Sequence, residues 1–194
     1  MTTRKEFITL LEDDGEYDGK NHLFYTYNGN NYNPKILLVI EKMTAFQKIS
    51  SELKNNNNTA IICTMGFPNQ SLIEGIKQAI KKGIKTCYIG DLDPVSLSIY
   101  YTIKHNDLEF KGTKEENEIS FISLTKDEIK SIPARNKIKL TDEKQILAYL
   151  TKNKLVPELK SETDFLKKGY KVEIEVFTSQ MINHLREIVD NTTY

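Results

Sequence analysis

The chain has 194 residues, enough for one compact domain with a real core and a small appendage. Lys and Arg number 27, as do Asp and Glu, so no global positive field attracts nucleic acid, and any such contact must come from a local patch. No apolar stretch is long enough to span a bilayer, and the opening Met-Thr-Thr-Arg-Lys-Glu-Phe lacks the apolar centre of a secretory signal.

Residues 1–33 are polar and turn-rich. Gly15, Gly19 and Asn28-Gly29-Asn30-Asn31 predict a short helix followed by a loop or hairpin. Ile36–Ile40 is a continuous apolar run, the pattern of a strand covered on both faces, and it ends on Glu41 and Lys42. Thr44-Ala45-Phe46-Gln47 has capping-box spacing and predicts a helix to about Leu53. Asn55–Asn58 reads as a loop and Thr59–Cys63 as the next buried strand. Ser71-Leu72-Ile73-Glu74 has the same capping spacing, and its helix runs to Lys82 with Gly83 as the stop. Lys85–Ile89 is a third strand leading into Asp91-Leu92-Asp93-Pro94. Asp93 suits the cap of a helix that has Pro94 at its first position and ends near Lys104.

Glu118–Ser123 reads as a fourth strand, and Thr125-Lys126-Asp127-Glu128 caps a short helix. Ile132–Leu140 is a loop carrying Arg135, Lys137 and Lys139. Thr141–Thr151 and Ser161–Lys168 look helical. After Gly169, Tyr170–Phe177 fits either a strand or the start of a helix that ends near Val189. Cys63 and Cys87 sit inside strand-like runs and read as buried thiols of a reducing compartment. His22, His105 and His184 show no zinc-ligand spacing.

Strands alternating with helices make an α/β fold with a parallel sheet. Right-handed crossovers put every strand's carboxyl end on one side, where ligands of such sheets bind. Glu41 follows the first strand; Asp91 and Asp93 follow the third. If those strands are neighbours, three mutually repelling carboxylates meet at one edge, and hard oxygen ligands of this kind suit magnesium or manganese. Lys42 is then either a phosphate contact or a solvated cation. Lys77, Lys81, Lys82 and Lys85 form a basic patch that is either a nucleic-acid contact or a solvated face. Gly66 and Pro68 shape a turn after the second strand.

The residues also carry a family pattern. Val39-Ile40-Glu41-Lys42 with Phe46-Gln47, Gly66-Phe67-Pro68, Asp91-Leu92-Asp93-Pro94 and Lys171-Val172-Glu173-Ile174-Glu175 follow one another at similar gaps over about residues 35–190. Together they resemble the Toprim domain of the topoisomerase VI A-subunit family, which includes the meiotic double-strand-break transesterase. The resemblance implies a Rossmann-like parallel sheet of about four strands flanked by helices, with a small helical C-terminal extension. It divides the chain into an N-terminal helix or hairpin segment, 1–34, and the Toprim domain, 35–190. It implies Glu41, Asp91 and Asp93 as ligands of magnesium or manganese, Glu41 as a general acid or base, and Glu173 and Glu175 as carboxylates standing behind the ligands. Lys42, Gly66, Lys81 and Lys82 would face nucleic acid.

Two departures stand out. Ser96 replaces a glycine that the family usually has two residues after the proline of Asp-x-Asp-Pro. Before Lys35 there is only a short segment where family members carry a winged-helix domain with the DNA-attacking tyrosine; Tyr17, Tyr25, Tyr27 and Tyr32 lie there without the surrounding motif. The expected function is therefore that of a stand-alone A-type Toprim protein that binds DNA through a metal–carboxylate site in DNA topology or strand-break processing. A partner would supply the tyrosine or an ATPase, and a homodimer and a cytoplasmic, nucleoid-associated (in a eukaryote, nuclear) location go with it. The alternatives are a self-sufficient metal-dependent nuclease and a non-catalytic DNA-binding or assembly module.

Overall fold

A computed structural model describes residues 23–25, 34–53, 56, 58–107, 117–153 and 155–191. Its centre is a five-stranded sheet built from β1 (Leu23–Tyr25), β2 (Ile36–Ile40), β3 (Thr59–Cys63), β4 (Lys85–Ile89) and β5 (Ile119–Phe121), in the order β1-β3-β2-β4-β5. β2 to β5 run parallel, and β1 adds an antiparallel edge on β3. β2 is the middle strand, with helices over both faces, so all five of its side chains are fully buried; that is why its sequence is continuously apolar rather than alternating.

The crossovers are α1 (Met43–Glu52), α2 (Gln70–Lys81) and α3 (Pro94–His105). α2 is amphipathic in the ordinary way, burying Leu72, Ile73, Ile76 and Ala79 along one stripe. It stops at Lys82, and Gly83 follows in the left-handed region (φ +80°). α3 is buried nearly all round because α5 covers the side turned away from the sheet. Beyond β5 come α4 (Lys126–Ser131), β6 (Ile138–Lys139), α5 (Lys144–Lys152), α6 (Lys160–Leu166), β7 (Tyr170–Lys171) and α7 (Thr178–Asp190), which packs on α1. β6 and β7 form a two-stranded antiparallel ribbon.

The α/β expectation holds, with local corrections. α1 starts at Met43, directly behind Lys42, with no side-chain cap. The chain has only two residues between β2 and the helix, so Thr44 falls inside the first turn instead of capping it. α2 is capped by Asn69, whose side chain accepts from the Leu72 amide at 2.9 Å, because Asn69 precedes Ser71 and wins the same orphan amides. Asp93 caps α3 through the Ser96 amide (2.7 Å), and Thr125 with Glu128 closes a full capping box on α4. The segment 132–140 is not all loop: Ala134–Asn136 is a 3-10 turn and Ile138–Lys139 is β6. Tyr170–Phe177 splits into β7 and a 3-10 turn at Ile174–Val176 before α7. The expected helix in 1–22, with Tyr17, and the turn at 28–31, with Tyr27 and Tyr32 beside it, lie outside the described residues. Among the described residues, no helix is long and apolar enough to cross a membrane.

One long-range link matters for function. Leu92 and Val172 pair antiparallel, each amide donating to the other's carbonyl (2.9 and 3.1 Å). This bridge lays residues 172–176 alongside the Asp91–Asp93 loop.

Candidate metal centre at the carboxyl edge of the sheet

β2 and β4 are adjacent, with Ile40 opposite Ile89, so Glu41 and Gly90 leave the sheet at the same level. The Glu41 amide still donates to the Ile89 carbonyl (3.0 Å), which pins the start of the loop. Glu41, Asp91 and Asp93 are all buried at this edge. Each is held by a different kind of partner.

Glu41 is held by neutral donors. Its Oε2 accepts from the Tyr88 hydroxyl at 2.9 Å and from the Ser96 hydroxyl. Gly90 makes this possible: a Cβ there would come within 2.7 Å of Glu41 Oε2 and of the Tyr88 hydroxyl. Asp93 is held by the Ser96 amide as the cap of α3. Ser96 thus joins two of the three carboxylates, in a position where the resembled family has glycine.

Asp91 is held by a charge. Its Oδ1 accepts from the Ile174 amide and its Oδ2 from the Lys42 ammonium, both at 2.8 Å. Lys42 also pairs closely with Glu173 and stands 3.6 Å from Glu175. Glu175 is steadied by the Thr44 hydroxyl at 2.5 Å. One oxygen each of Asp91, Glu173 and Glu175 lie within 4.8 Å of one another. Glu173 and Glu175, expected behind the ligands, stand beside Asp91 itself. Nearby, Lys171 pairs with Glu143, and its charge reaches Asp93.

The electrostatics point one way. Burial pushes Glu41 above the usual carboxylate range and the charge of Asp93 adds to it, against the hydrogen bonds from Ser96 and Tyr88. Burial pushes Asp91 from 3.8 to about 7, even with Lys42 and the Ile174 amide opposing. Burial raises Asp93 too, against the hydrogen bonds from Ser96. Burial alone would lower Lys42, but its bonds and charge pairing with Asp91 and Glu173 hold it above its ordinary value. The folded chain therefore ionises its buried carboxylates at a cost, which an added cation would relieve. The donors are all hard oxygens, and Asp91, Glu173 and Glu175 already surround one positive charge, so the residues fit magnesium or manganese.

Other expected residues are placed as follows. Gly66 (φ +104°) follows Met65 (φ +52°) in the loop after β3, at the rim of the same edge, with Met65 and Phe67 exposed. Lys81 and Lys82 are exposed at the far end of α2, which runs about 18 Å away from this edge; the structure does not bring them to the carboxylates. Cys63 and Cys87 are free and buried. His105 stacks on Tyr101, and His184 faces Glu128 at 3.4 Å.

Tyr88 and Gly90 were not expected in the site. A signal was present: a tyrosine close to a strand's end, in an otherwise buried run, must find a partner for its hydroxyl.

The family of the Toprim domain shared by Spo11 and the topoisomerase 6 A-subunit matches residues 36–188. Comparison with curated proteins gives no match. The matched span includes both carboxylate-bearing strand ends and the 173–175 segment that the structure joins to them, and the chain accordingly belongs to this Toprim domain family of Spo11 and the topoisomerase 6 A-subunit.

Proposed function

We propose that this chain binds the phosphate backbone of DNA through a divalent-metal centre on Glu41, Asp91 and Asp93, with Glu173 and Glu175 on its outer side, as the metal-bearing half of a strand-breaking or topology-changing assembly. The observation that carries the reading is the convergence of Asp91, Glu173 and Glu175, from two separate segments, around one ammonium, with Glu41 and Asp93 buried at the same sheet edge. Magnesium or manganese bound there would neutralise and orient a phosphate.

The chain's own residues supply the rest. Tyr88 and Ser96 fix one oxygen of Glu41, so the other is presented in a defined direction. Burial raises Glu41 above the usual carboxylate range, the direction that suits a general acid or base. Tyr88 is not an attacking group: it is fully buried and its hydroxyl is committed to Glu41, with burial and the neighbouring charge keeping it protonated. The nucleophile of a cleaving assembly is then a group other than Tyr88, on this chain or a partner. Lys81 and Lys82 join the same contact only if the duplex runs along α2.

A second reading, hydrolysis by metal-activated water without a tyrosine, is favoured by Glu173 and Glu175 standing beside Asp91, since such cutting uses additional carboxylates. Two measurements separate the readings. Fluorescence anisotropy of a labelled duplex, titrated with Mn2+ or Mg2+, is expected to show metal-dependent binding that Glu41→Gln and Asp91→Asn each abolish. Supercoiled plasmid is expected to remain uncut by the chain alone; metal-dependent nicking lost in both variants would establish the hydrolytic reading instead. Equal behaviour of wild type and both variants in both assays would end the site reading altogether.

A further inference from the structure

Lys42 occupies the place a cation would take. Its ammonium lies 2.8 Å from Asp91 Oδ2, close to Glu173 and 3.6 Å from Glu175. The other oxygen of Asp91 is already on the Ile174 amide, so the oxygen turned toward the cluster is the one the lysine holds. A divalent ion on that oxygen and an ammonium on the same oxygen are like charges within a few ångströms, and they exclude one another.

The lysine is also free to leave. Lys42 precedes the first turn of α1 in extended conformation, and its side chain is 29 % exposed. Rotation about its flexible stem moves the ammonium out of the cluster without moving the backbone. Glu173 and Glu175 stay in place meanwhile, the first beside the Leu92–Val172 bridge and the second on the Thr44 hydroxyl. A displaced Lys42 remains tethered next to Glu41, facing whatever anion enters the crevice.

We infer that Lys42 is a tethered cation that keeps the metal's seat until a phosphodiester draws it out, which makes metal and nucleic acid bind cooperatively. This rests on the metal-centre reading above. Without nucleic acid, an incoming metal must displace the lysine. With a phosphate present, the ammonium exchanges three carboxylates for the phosphate and the seat opens. By linkage the effect is reciprocal: metal in the seat frees Lys42 and tightens the duplex.

The test is calorimetric titration of the whole chain with Mn2+, with and without a short DNA duplex, for wild type, Lys42→Met and Lys42→Arg. Lys42→Met is expected to bind Mn2+ about tenfold more tightly than wild type, within the usual range of coupling between sites. The duplex is expected to tighten Mn2+ binding several-fold in wild type and to leave Lys42→Met nearly unchanged. Lys42→Arg keeps the charge and grips carboxylates more firmly, so its Mn2+ binding is expected to be weaker than wild type. Should Lys42→Met lose its fold by circular dichroism, the arginine variant decides alone. Mn2+ binding that is equal or weaker in Lys42→Met, or equal or tighter in Lys42→Arg, overturns the inference. If that happens while Asp91→Asn still abolishes Mn2+ binding, the metal centre survives and only the lysine's role falls. If folded wild type and Lys42→Met both fail to bind Mn2+, both readings fall together.

Discussion

The carboxylate edge has an inner half and an outer half, and they are held by opposite means. The inner half is Glu41 on two neutral hydroxyls, both from fully buried residues, Tyr88 and Ser96, with Gly90 leaving no slack. The outer half is Asp91 with Glu173 and Glu175, held by one lysine ammonium on a long stem and open to solvent on its Glu173 and Glu175 side. Neutral, short, buried donors fix a direction without cancelling charge. A flexible cation cancels charge without fixing a direction. A site that must present one carboxylate rigidly and yet exchange its positive charge has reason to use both.

The largest expected effect comes from removing the charge at the boundary between the halves. Asp91→Asn keeps an oxygen for the Ile174 amide but loses the charge that Lys42 pairs with and that the proposed metal would use. Mn2+ affinity is expected to fall by about a hundredfold or more, exceeding the effects usually seen for residues behind a ligand. Stability should move differently. The folded pKa of Asp91 is raised to about 7 from 3.8, so between those values the folded state holds more protons than the unfolded state. Stability from this group therefore falls as pH rises from about 4 to about 7 and is level above. Asp91→Asn should flatten that limb of a pH series of urea melts, and saturating Mn2+ should flatten it in wild type. A limb unchanged in the variant would place the raised titration elsewhere.

Gly90→Ala attacks the inner half alone. The new methyl meets Glu41 Oε2 and the Tyr88 hydroxyl at 2.7 Å and Ser96 Oγ at 3.0 Å, so these buried side chains must shift and the ties between them loosen. Overpacking of this kind costs about 1–3 kcal/mol. Denaturant melts are expected to show it, together with weakened Mn2+ binding. Tyr88→Phe removes one of Glu41's two donors without adding bulk. A hydrogen bond to a charged group is worth about 1.5–3 kcal/mol, though burial already disfavours the charge here, so the loss should lie near or below the lower figure. If Tyr88→Phe is neutral while Ser96→Ala is costly, the inner half depends on Ser96, the residue that departs from the family pattern.

The inner and outer halves were also unequally legible in the sequence. Ile36–Ile40 and Lys85–Ile89 read directly as strands because burial on both faces demands uninterrupted apolar residues, and the structure places them side by side. Asp93-Pro94 announced its helix because the cap and the first-turn proline act locally. From those pieces, the right-handed crossover rule carried Glu41, Asp91 and Asp93 to one edge. The ties around Glu41 were not readable, since they depend on how α3 seats Ser96 against β4, which is a matter of packing. The place of Glu173 and Glu175 was harder still: it follows from the Leu92–Val172 bridge between segments far apart in the chain, which no local pattern encodes. The basic run at Lys81 and Lys82 gives no such placement, because a run of charges says nothing about which end of a crossover helix faces the carboxylates; the structure puts it at the far end of α2.

The smallest effect tests how loosely the outer half is built. The Thr44 hydroxyl donates to Glu175 Oε1 at 2.5 Å, but both groups are exposed, so water replaces either partner when the bond is lost. Thr44→Val keeps the shape of the first turn of α1 and removes the donor. Its effect on a urea melt should stay within about 0.5 kcal/mol, as for surface changes generally. Its effect on Mn2+ titration should be a factor of a few at most, because Glu175 would still be attracted to the cation while losing only its orientation. A loss as large as that of Tyr88→Phe would mean that Glu175 is positioned as strictly as Glu41, and that the outer half is rigid after all.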